Sequence, residues 1–234
     1  MSTYVFPPAA VPSLPVVGSE TRFAVNRIFC VGRNYHAHAI EMGRPVDKAT
    51  MKPFYFTKTP STLVESGATV PYAPGTQNFH YEMELVVALG GHGFRLAEAD
   101  AGRMVWGYAA GLDMTRRDLQ FAARDQGRPW DLGKDFEMSA VCGAILPATD
   151  LGVLGKGAID LKVNGDTKQN ADLAQLIWNI PELLADLSQY YHLAPGDLIY
   201  TGTPEGVGPV KPGDRLLGRI ERVGEVALTV GQPE

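Results

Sequence analysis

Two glutamates that are two residues apart, Glu82 and Glu84, are the first candidates for chemistry in this sequence of 234 residues. They begin the segment 81–89, whose apolar second half predicts a strand buried on both faces. Alternate residues of a strand share a face, so the two carboxylates would lie roughly 7 Å apart at the end of a buried region. Like charges held so close raise each other's pKa unless a cation neutralises them. The alternative is a strand end that is simply solvated.

A third carboxylate, Asp113, ends a predicted strand over 105–113 that carries no other charge. At a strand terminus it can complete an all-oxygen site with the two glutamates. Hard oxygen ligands favour Mg²⁺, Mn²⁺ or Ca²⁺ over zinc. Three carboxylates would also leave coordination positions open for substrate oxygens or water, as a catalytic ion requires.

A histidine and a glutamate three residues apart, His38 and Glu41, lie on a predicted helix and would share one of its faces. A histidine oriented by a carboxylate is a competent general base for water. The alternative is an exposed contact between the two side chains. A metal-binding pair of His36 and His38 is disfavoured, because residues two apart on a helix point to nearly opposite sides.

Lys134 follows a short turn in a polar part of the chain that begins with a predicted helix over 115–126. Such a lysine is either a solvated surface charge or, beside an anionic metal site, a group that binds a substrate carboxylate or stabilises an enolate. The glycine-rich loop 201–208 lacks the lysine of a phosphate-binding loop and no helix follows it, so nucleotide binding is not expected.

The elements that must position these residues are mostly strands. Further strands are predicted at 27–31, 52–58, 158–163, 197–201, 215–220 and 225–230, and further helices at 34–42, 96–104 and 180–191. Asn34 and Thr115 are predicted N-caps, and Asn164-Gly165 predicts a tight hairpin. We therefore expect an α+β, mostly β fold in which the later strands form a rolled or barrel-like mixed sheet with peripheral helices.

Composition narrows the function classes. Lysine and arginine total 21 against 26 aspartates and glutamates, and this acidic balance argues against nucleic acid or an anionic membrane as the main partner. No run of 18 apolar residues occurs, so no membrane span is expected. The two cysteines, Cys30 and Cys142, lie in apolar stretches and are expected to be buried thiols of a cytoplasmic protein. Residues 1–25 are expected to form a proline-rich arm, and residues 26–234 a single catalytic domain.

Six motifs in order resemble the fumarylacetoacetate hydrolase family. They are CVGRNYHAHAIEMG (30–43), HYEMELVVALG (80–90), YAAGLDMTRRDLQ (108–120), GRPWDLGKDF (127–136), LKVNGD (161–166) and TGTPEGVGPVKPGD (201–214). The N-terminal motif looks most like that of acylpyruvate-cleaving members, among them fumarylpyruvate hydrolases of gentisate degradation.

The resemblance implies a mixed β-roll, a Mg²⁺ or Mn²⁺ ion held by Glu82, Glu84 and Asp113, and commonly a homodimer. It also implies that His38 and Glu41 lie on a lid segment, about 34–52, and activate water. Its further implied site residues are Lys134, Gln120 and Thr203, which would contact the pyruvoyl group of a small-molecule substrate, with Arg117 as another candidate for substrate binding. His36 stands where a small residue is more familiar, and Lys58 fits the family's lysine–proline segment only loosely and is given no role.

The implied reaction is metal-dependent hydrolysis of an acylpyruvate. Alternatives on the same fold are oxaloacetate decarboxylation and isomerisation of a hydroxydienedioate, since both pass through the same enolate. An alternative of another class is a non-catalytic module that binds carboxylates.

Overall fold

A computed structural model describes residues 2–234, apart from the side chain of Asp150; residue 1 of the predicted arm lies outside it. The strands are β1 Ser13–Pro15, β2 Arg22–Ala24, β3 Arg27–Gly32, β4 Phe54–Lys58, β5 Leu63–Glu65, β6 Ala68–Val70, β7 Phe79–Tyr81, β8 Met83–Leu89, β9 Val105–Asp113, β10 Thr115–Arg116, β11 Ala140–Cys142, β12 Leu146–Pro147, β13 Ala158–Val163, β14 Asp166–Asp172, β15 Asp197–Tyr200, β16 Gly208–Pro209, β17 Arg215–Ile220 and β18 Gly224–Val230. The α-helices are α1 His36–Glu41, α2 Glu98–Ala101, α3 Arg117–Asp125, α4 Asp131–Lys134 and α5 Ile180–Leu187.

The strands form two large sheets and two small ones. The largest has the order β4-β3-β15-β8-β9-β11-β5, with β12 paired to β9, and it mixes parallel and antiparallel neighbours. A five-stranded sheet has the order β14-β13-β17-β18-β6, and its β18–β6 pair is parallel. Strands β10, β7 and β16 form a third sheet, and β1 pairs with β2. The expected mixed, mostly β fold with peripheral helices is confirmed.

Strand β8 is buried on both faces, as its apolar sequence predicts. Leu85 and Val87 belong to the main core, which forms where β8 and β9 pack against strands of the five-stranded sheet. Val86 and Ala88 belong to a second apolar cluster on the opposite face, which Leu14 of β1 helps to cover. A strand with two buried faces gives a rigid base for any polar residue at its end.

The strand predicted over 81–89 is interrupted at Glu82, which separates β7 from β8. Its neighbour is interrupted in the same way at Met114, between β9 and β10. At these two points the chain crosses between the largest sheet and the three-stranded sheet. The backbone N–H of Asp113 donates to the carbonyl of Glu82 at 2.9 Å, so the two crossings lie side by side.

Two predicted helix starts are wrong. Helix α1 begins after Tyr35, because the Asn34 side chain is held elsewhere: it donates to the carbonyls of Trp178 and Thr201 and accepts from the Trp178 N–H. Thr115 belongs to β10 and does not cap a helix, since α3 begins at Arg117.

The other predicted helices are shorter than expected. The segment 96–104 divides into α2 and a 3₁₀ turn, and α5 ends at Leu187 rather than at residue 191. The predicted hairpin is confirmed, with Asn164 and Gly165 at φ of 52° and 91° between β13 and β14, since such a two-residue turn needs positive φ at both positions. None of the helices within residues 2–234 has the length and apolar character needed to cross a bilayer.

Candidate metal centre and active site

Three buried carboxylates meet where the chain crosses between the largest sheet and the three-stranded sheet. Each of Glu82, Glu84 and Asp113 offers an oxygen that lies within 4.8 Å of the others, and all three residues are 4% exposed or less. The antiparallel register of β8 and β9, with Glu84 opposite Gly111, places the end of β9 beside the start of β8. The meeting of the carboxylates therefore follows from strand register.

Three cationic side chains surround these carboxylates. The Lys134 ammonium donates to Glu82 Oε2 at 2.7 Å and to Asp113 Oδ2 at 2.6 Å. Lys58 Nζ lies 2.9 Å from Asp113 Oδ1, and the Arg117 guanidinium donates to Glu82 Oε1. All three cations are 2% exposed or less, so Glu82 and Asp113 are neutralised by buried partners.

The neutralisation is uneven between the two glutamates. Burial alone would raise the pKa of Glu82, but Lys134 and Arg117 outweigh it and hold that pKa well below its usual range. Glu84 has no cationic partner among the ion pairs within residues 2–234, and burial together with Asp113 and Glu82 raises its pKa well above the usual range. The backbone N–H of Gly202, which donates to Glu84 Oε2 at 2.7 Å, opposes this only in part.

The donor set fits a divalent cation. Asp113 Oδ1 is fully buried and forms no aligned hydrogen bond with any residue the structure describes, although Lys58 Nζ is near. Glu84 likewise carries like-charge repulsion that a cation would relieve. All three side chains present carboxylate oxygens, which suit Mg²⁺ or Mn²⁺. Glu82, Glu84 and Asp113 could thus hold one such ion.

A histidine–glutamate pair lies near these carboxylates, and its histidine lines the pocket that Glu82 and Glu84 also line. His38 on α1 is 5% exposed, and its Nδ1 lies 3.0 Å from Glu41 Oε2. Glu41 Oε1 accepts a hydrogen bond from the backbone N–H of Gly206 at 3.1 Å. Burial would raise the pKa of Glu41, but the bonds from His38 and Gly206 outweigh it and lower that pKa. An ionised Glu41 can only accept a hydrogen bond, so Nδ1 of His38 carries a proton and donates it to Glu41. The other ring nitrogen, Nε2, is then free to accept a proton.

The neighbouring His36 is exposed and does not line the pocket. It belongs to no group of potential metal ligands in the part of the chain that the structure covers.

The pocket has a volume of about 320 Å³, and its walls include the candidate substrate-binding residues Arg117, Gln120 and Thr203. The Gln120 side-chain oxygen accepts from Arg117 at 2.5 Å, and its amide N–H groups are not used in any hydrogen bond within residues 2–234. Thr203 Oγ1 accepts from Gln169 Nε2 at 2.9 Å, which leaves the Thr203 hydroxyl proton for donation. Both residues can therefore donate hydrogen bonds to an anionic or carbonyl oxygen.

Sequence reasoning missed two buried residues that organise the site. Lys58 lies at the end of β4 and is 1% exposed, and a lysine inside the aromatic run 54–58 was the available signal. Gln169 of β14 is 1% exposed; its oxygen accepts from the Met83 N–H while its amide donates to Thr203 and Pro204. Gln169 thus ties the loop after β15 to the strand that carries Glu84, and nothing in its neighbouring sequence marks it.

The chain belongs to the fumarylacetoacetate hydrolase family, because the family model described as "Fumarylacetoacetate (FAA) hydrolase C-terminal" matches residues 27–231. A fumarylpyruvate hydrolase of Ralstonia sp. is 62% identical over 193 residues, which are 82% of this chain and 100% of that protein. A mitochondrial oxaloacetate tautomerase of Caenorhabditis elegans, fahd-1, is 38% identical over 193 residues, 82% of this chain and 89% of that protein.

Among solved structures, the chain is similar to a fumarylpyruvate hydrolase of Pseudomonas aeruginosa in complex with Mn²⁺ and pyruvate. The TM-score is 0.94 at 46% sequence identity, over 98% of this chain and 100% of that one. The likeness at this level confirms the β-roll that the sequence motifs predict.

Proposed function

We propose that this protein hydrolyses a carbon–carbon bond of an acylpyruvate, and that it converts fumarylpyruvate to fumarate and pyruvate in the gentisate route of aromatic degradation. The observation that carries the proposal is that His38, Glu82 and Glu84 line one pocket, with Asp113 clustered beside the two glutamates and Glu41 bonded to His38. The 62% identity to the Ralstonia fumarylpyruvate hydrolase supports the choice of substrate.

The cofactor is Mg²⁺ or Mn²⁺, with Glu82, Glu84 and Asp113 as its ligands. The structural relative with Mn²⁺ and pyruvate supports this assignment, and so does the all-carboxylate donor set found here. When bound, the ion supplies Lewis acidity that polarises the carboxylate and 2-oxo oxygens of the pyruvoyl group.

The hydrolysis adds one water across a carbon–carbon bond. His38 accepts a proton from water at Nε2, while Glu41 holds the opposite side of the imidazole through Nδ1. The water oxygen bonds to the acyl carbonyl carbon, and the bond from that carbon to the methylene carbon then breaks. The electron pair passes into the enolate of pyruvate, which takes up a proton at the methylene carbon to give the methyl group of pyruvate.

Other pocket residues bind the pyruvoyl end and stabilise the developing enolate. The ammonium of Lys134 lies beside Glu82 and Asp113, and Gln120 and Thr203 have N–H and O–H groups to donate. A donor aimed at the developing negative charge contributes about 3–4 kcal/mol to the transition state. Arg117 orients Gln120 through its bond to the amide oxygen.

Residues 34–52 are proposed to act as a lid within a single catalytic domain, 26–234. This segment carries His38, Met42 and Arg44 to the pocket wall, and its end is held by an exposed ion pair between Lys48 and Glu182. Closure over substrate would exclude bulk water and complete the site. Residues 1–25 are proposed to remain an accessory arm.

The protein is further proposed to work in the cytoplasm as a homodimer. Burial raises the pKa of Cys142 to about 12 and that of Cys30 well above its usual value, so both thiols suit a reducing compartment as inert core residues. The arm exposes Tyr4, Val5 and Phe6, which provide apolar surface that a second copy could cover. Light scattering of the purified chain would give the mass of the assembly.

A second candidate reaction is tautomerisation of oxaloacetate, favoured by the 38% identity to the Caenorhabditis elegans tautomerase. The same enolate serves both reactions, so product analysis must separate them. We expect fumarylpyruvate to give fumarate and pyruvate, with rates restored by Mg²⁺ or Mn²⁺ after chelation. Interconversion of oxaloacetate tautomers without any cleavage of acylpyruvates would instead support the second candidate. Carbon dioxide with pyruvate would indicate decarboxylation, and no turnover at all would indicate a binding module.

A further inference from the structure

The pocket is lined by arginines of two kinds. At its buried end, Arg117 is 1% exposed and bonded to Glu82 and Gln120. Nearer to solvent, Arg124 pairs with Asp125, whereas the side chains of Arg33, Arg44 and Arg128 form no hydrogen bond or ion pair with any residue from 2 to 234. These three arginines therefore leave positive charge without an anionic partner at the exposed end of the pocket.

Arg33 is held in an unfavourable setting. It follows β3 with φ of 58°, a left-handed conformation that is uncommon for an arginine. Its side chain is half-buried, with the guanidinium 5.7 Å from the centre of the Phe54 ring. Burial lowers the pKa of Arg33, and repulsion from the positive charge of Arg44 lowers it further. A bound anion would relieve this repulsion.

We propose that Arg33 and Arg44 form a second anion subsite, which binds a carboxylate on the acyl group of the substrate and so selects dicarboxylic acylpyruvates over neutral ones. The inference rests on the proposed hydrolase function, since it assigns the far end of the same substrate. The pyruvoyl end occupies the buried carboxylate cluster, and the acyl carboxylate then lies toward solvent. Guanidinium groups bind carboxylates through paired, charge-assisted hydrogen bonds.

Arg44 links this subsite to the proposed lid. Arg44 lies three residues after the end of α1, and its backbone N–H donates to the carbonyl of Ala39 within that helix at 2.9 Å. His38 lies on the same helix. A substrate carboxylate that bridges Arg33, directly after strand β3, and Arg44 of the lid segment would hold the general base over the reacting carbon.

The test compares two substrates that share the pyruvoyl group: fumarylpyruvate, with a carboxylate on its acyl group, and acetylpyruvate, without one. Arg33→Gln and Arg44→Gln should each lower kcat/KM for fumarylpyruvate by about 10- to 100-fold, mainly through KM, the loss expected for a hydrogen bond to a charged group. The value for acetylpyruvate should stay nearly unchanged. Arg33→Lys should recover part of the loss.

The matched control is Arg222→Gln, because Arg222 is exposed, outside the pocket and also at positive φ, 64°. This variant should leave kcat/KM unchanged for both substrates. It also shows whether replacing an arginine at positive φ affects folding by itself. Arg44→Gln, at an exposed position, covers the case in which Arg33→Gln folds poorly. Equal losses for both substrates, or no loss for either, would overturn the subsite while the hydrolase function stands. A wild-type enzyme that cleaves neither substrate would overturn both.

Discussion

Replacing Lys58 by methionine tests whether the buried cluster is built to hold a cation. Lys58 Nζ lies 2.9 Å from Asp113 Oδ1, and both side chains are fully buried. Removing one partner of a buried pair costs about 3–5 kcal/mol when the remaining charge is left uncompensated. Lys134 still donates to Asp113 Oδ2, so the lower end of this range, about 3 kcal/mol, is expected here. At about 2–4 °C per kcal/mol for a chain of this size, Tm of the metal-free protein should fall by about 6–12 °C.

Added Mn²⁺ should offset much of this loss, because the ion supplies the missing positive charge next to Asp113. A ligand at 100 times its Kd stabilises a folded protein by about 2.7 kcal/mol. The Tm gain on adding Mn²⁺ should therefore be larger in Lys58→Met than in the wild type, which keeps its own neutralising lysine. Differential scanning fluorimetry after chelation, with and without Mn²⁺, measures both quantities.

The control is Lys48→Met, which removes a lysine paired with Glu182 at 2.7 Å but 45% exposed. Exposed pairs contribute about 0–1 kcal/mol, so Tm should change little, and so should the response to Mn²⁺. The reasoning is refuted if Lys58→Met melts together with Lys48→Met, or if Mn²⁺ raises the Tm of the wild type and of Lys58→Met equally.

Three further variants probe the site. His38→Ala should lower kcat by about 10²- to 10⁴-fold with KM little changed, measured from the decay of enol absorbance, and an unchanged kcat would remove the residue from the base role. Gln169→Leu should lower the free energy of unfolding by about 1–3 kcal/mol, because it leaves the buried Met83 N–H unpaired, and urea titration measures this loss. The same variant should raise KM, measured from initial rates, because it removes the hydrogen bond that orients the Thr203 hydroxyl. An unchanged KM would argue against that orientation. Gly202→Ala should weaken Mn²⁺ binding in calorimetry. Gly202 has φ of 101° and an added Cβ would lie 2.7 Å from Asn34, so the backbone must shift and its N–H would move away from Glu84. Unaltered binding would contradict the role of this N–H in positioning Glu84.

The strands of this fold were largely predictable, because β3, β8 and β9 each contain an apolar run with charged residues only near its ends. The alternation of side chains predicted that Glu82 and Glu84 lie close together, and Asp113 was predicted at the end of another strand, although Glu82 proves to lie just before β8 and not within it. The break at Glu82 was not predictable, since only the pairing of β7 with β10 and β16 shows that the chain changes sheets there.

Helix starts and the supporting residues escaped prediction for a common reason. Asn34 and Thr115 have the side chains of N-caps, but tertiary partners hold them: Asn34 bonds Trp178 and Thr201, and Thr115 Oγ1 accepts from Lys134 at 2.7 Å. Lys58 likewise gains its importance from Asp113, 55 positions further along the chain. Local sequence does not encode contacts of this range.

The most direct measurement of the central claim is anomalous X-ray diffraction from crystals grown with Mn²⁺. We expect one strong peak within coordination distance of carboxylate oxygens of Glu82, Glu84 and Asp113, and its disappearance in crystals of Asp113→Asn. A peak outside this cluster, or full hydrolytic activity in a protein whose cluster binds no metal, would contradict the account.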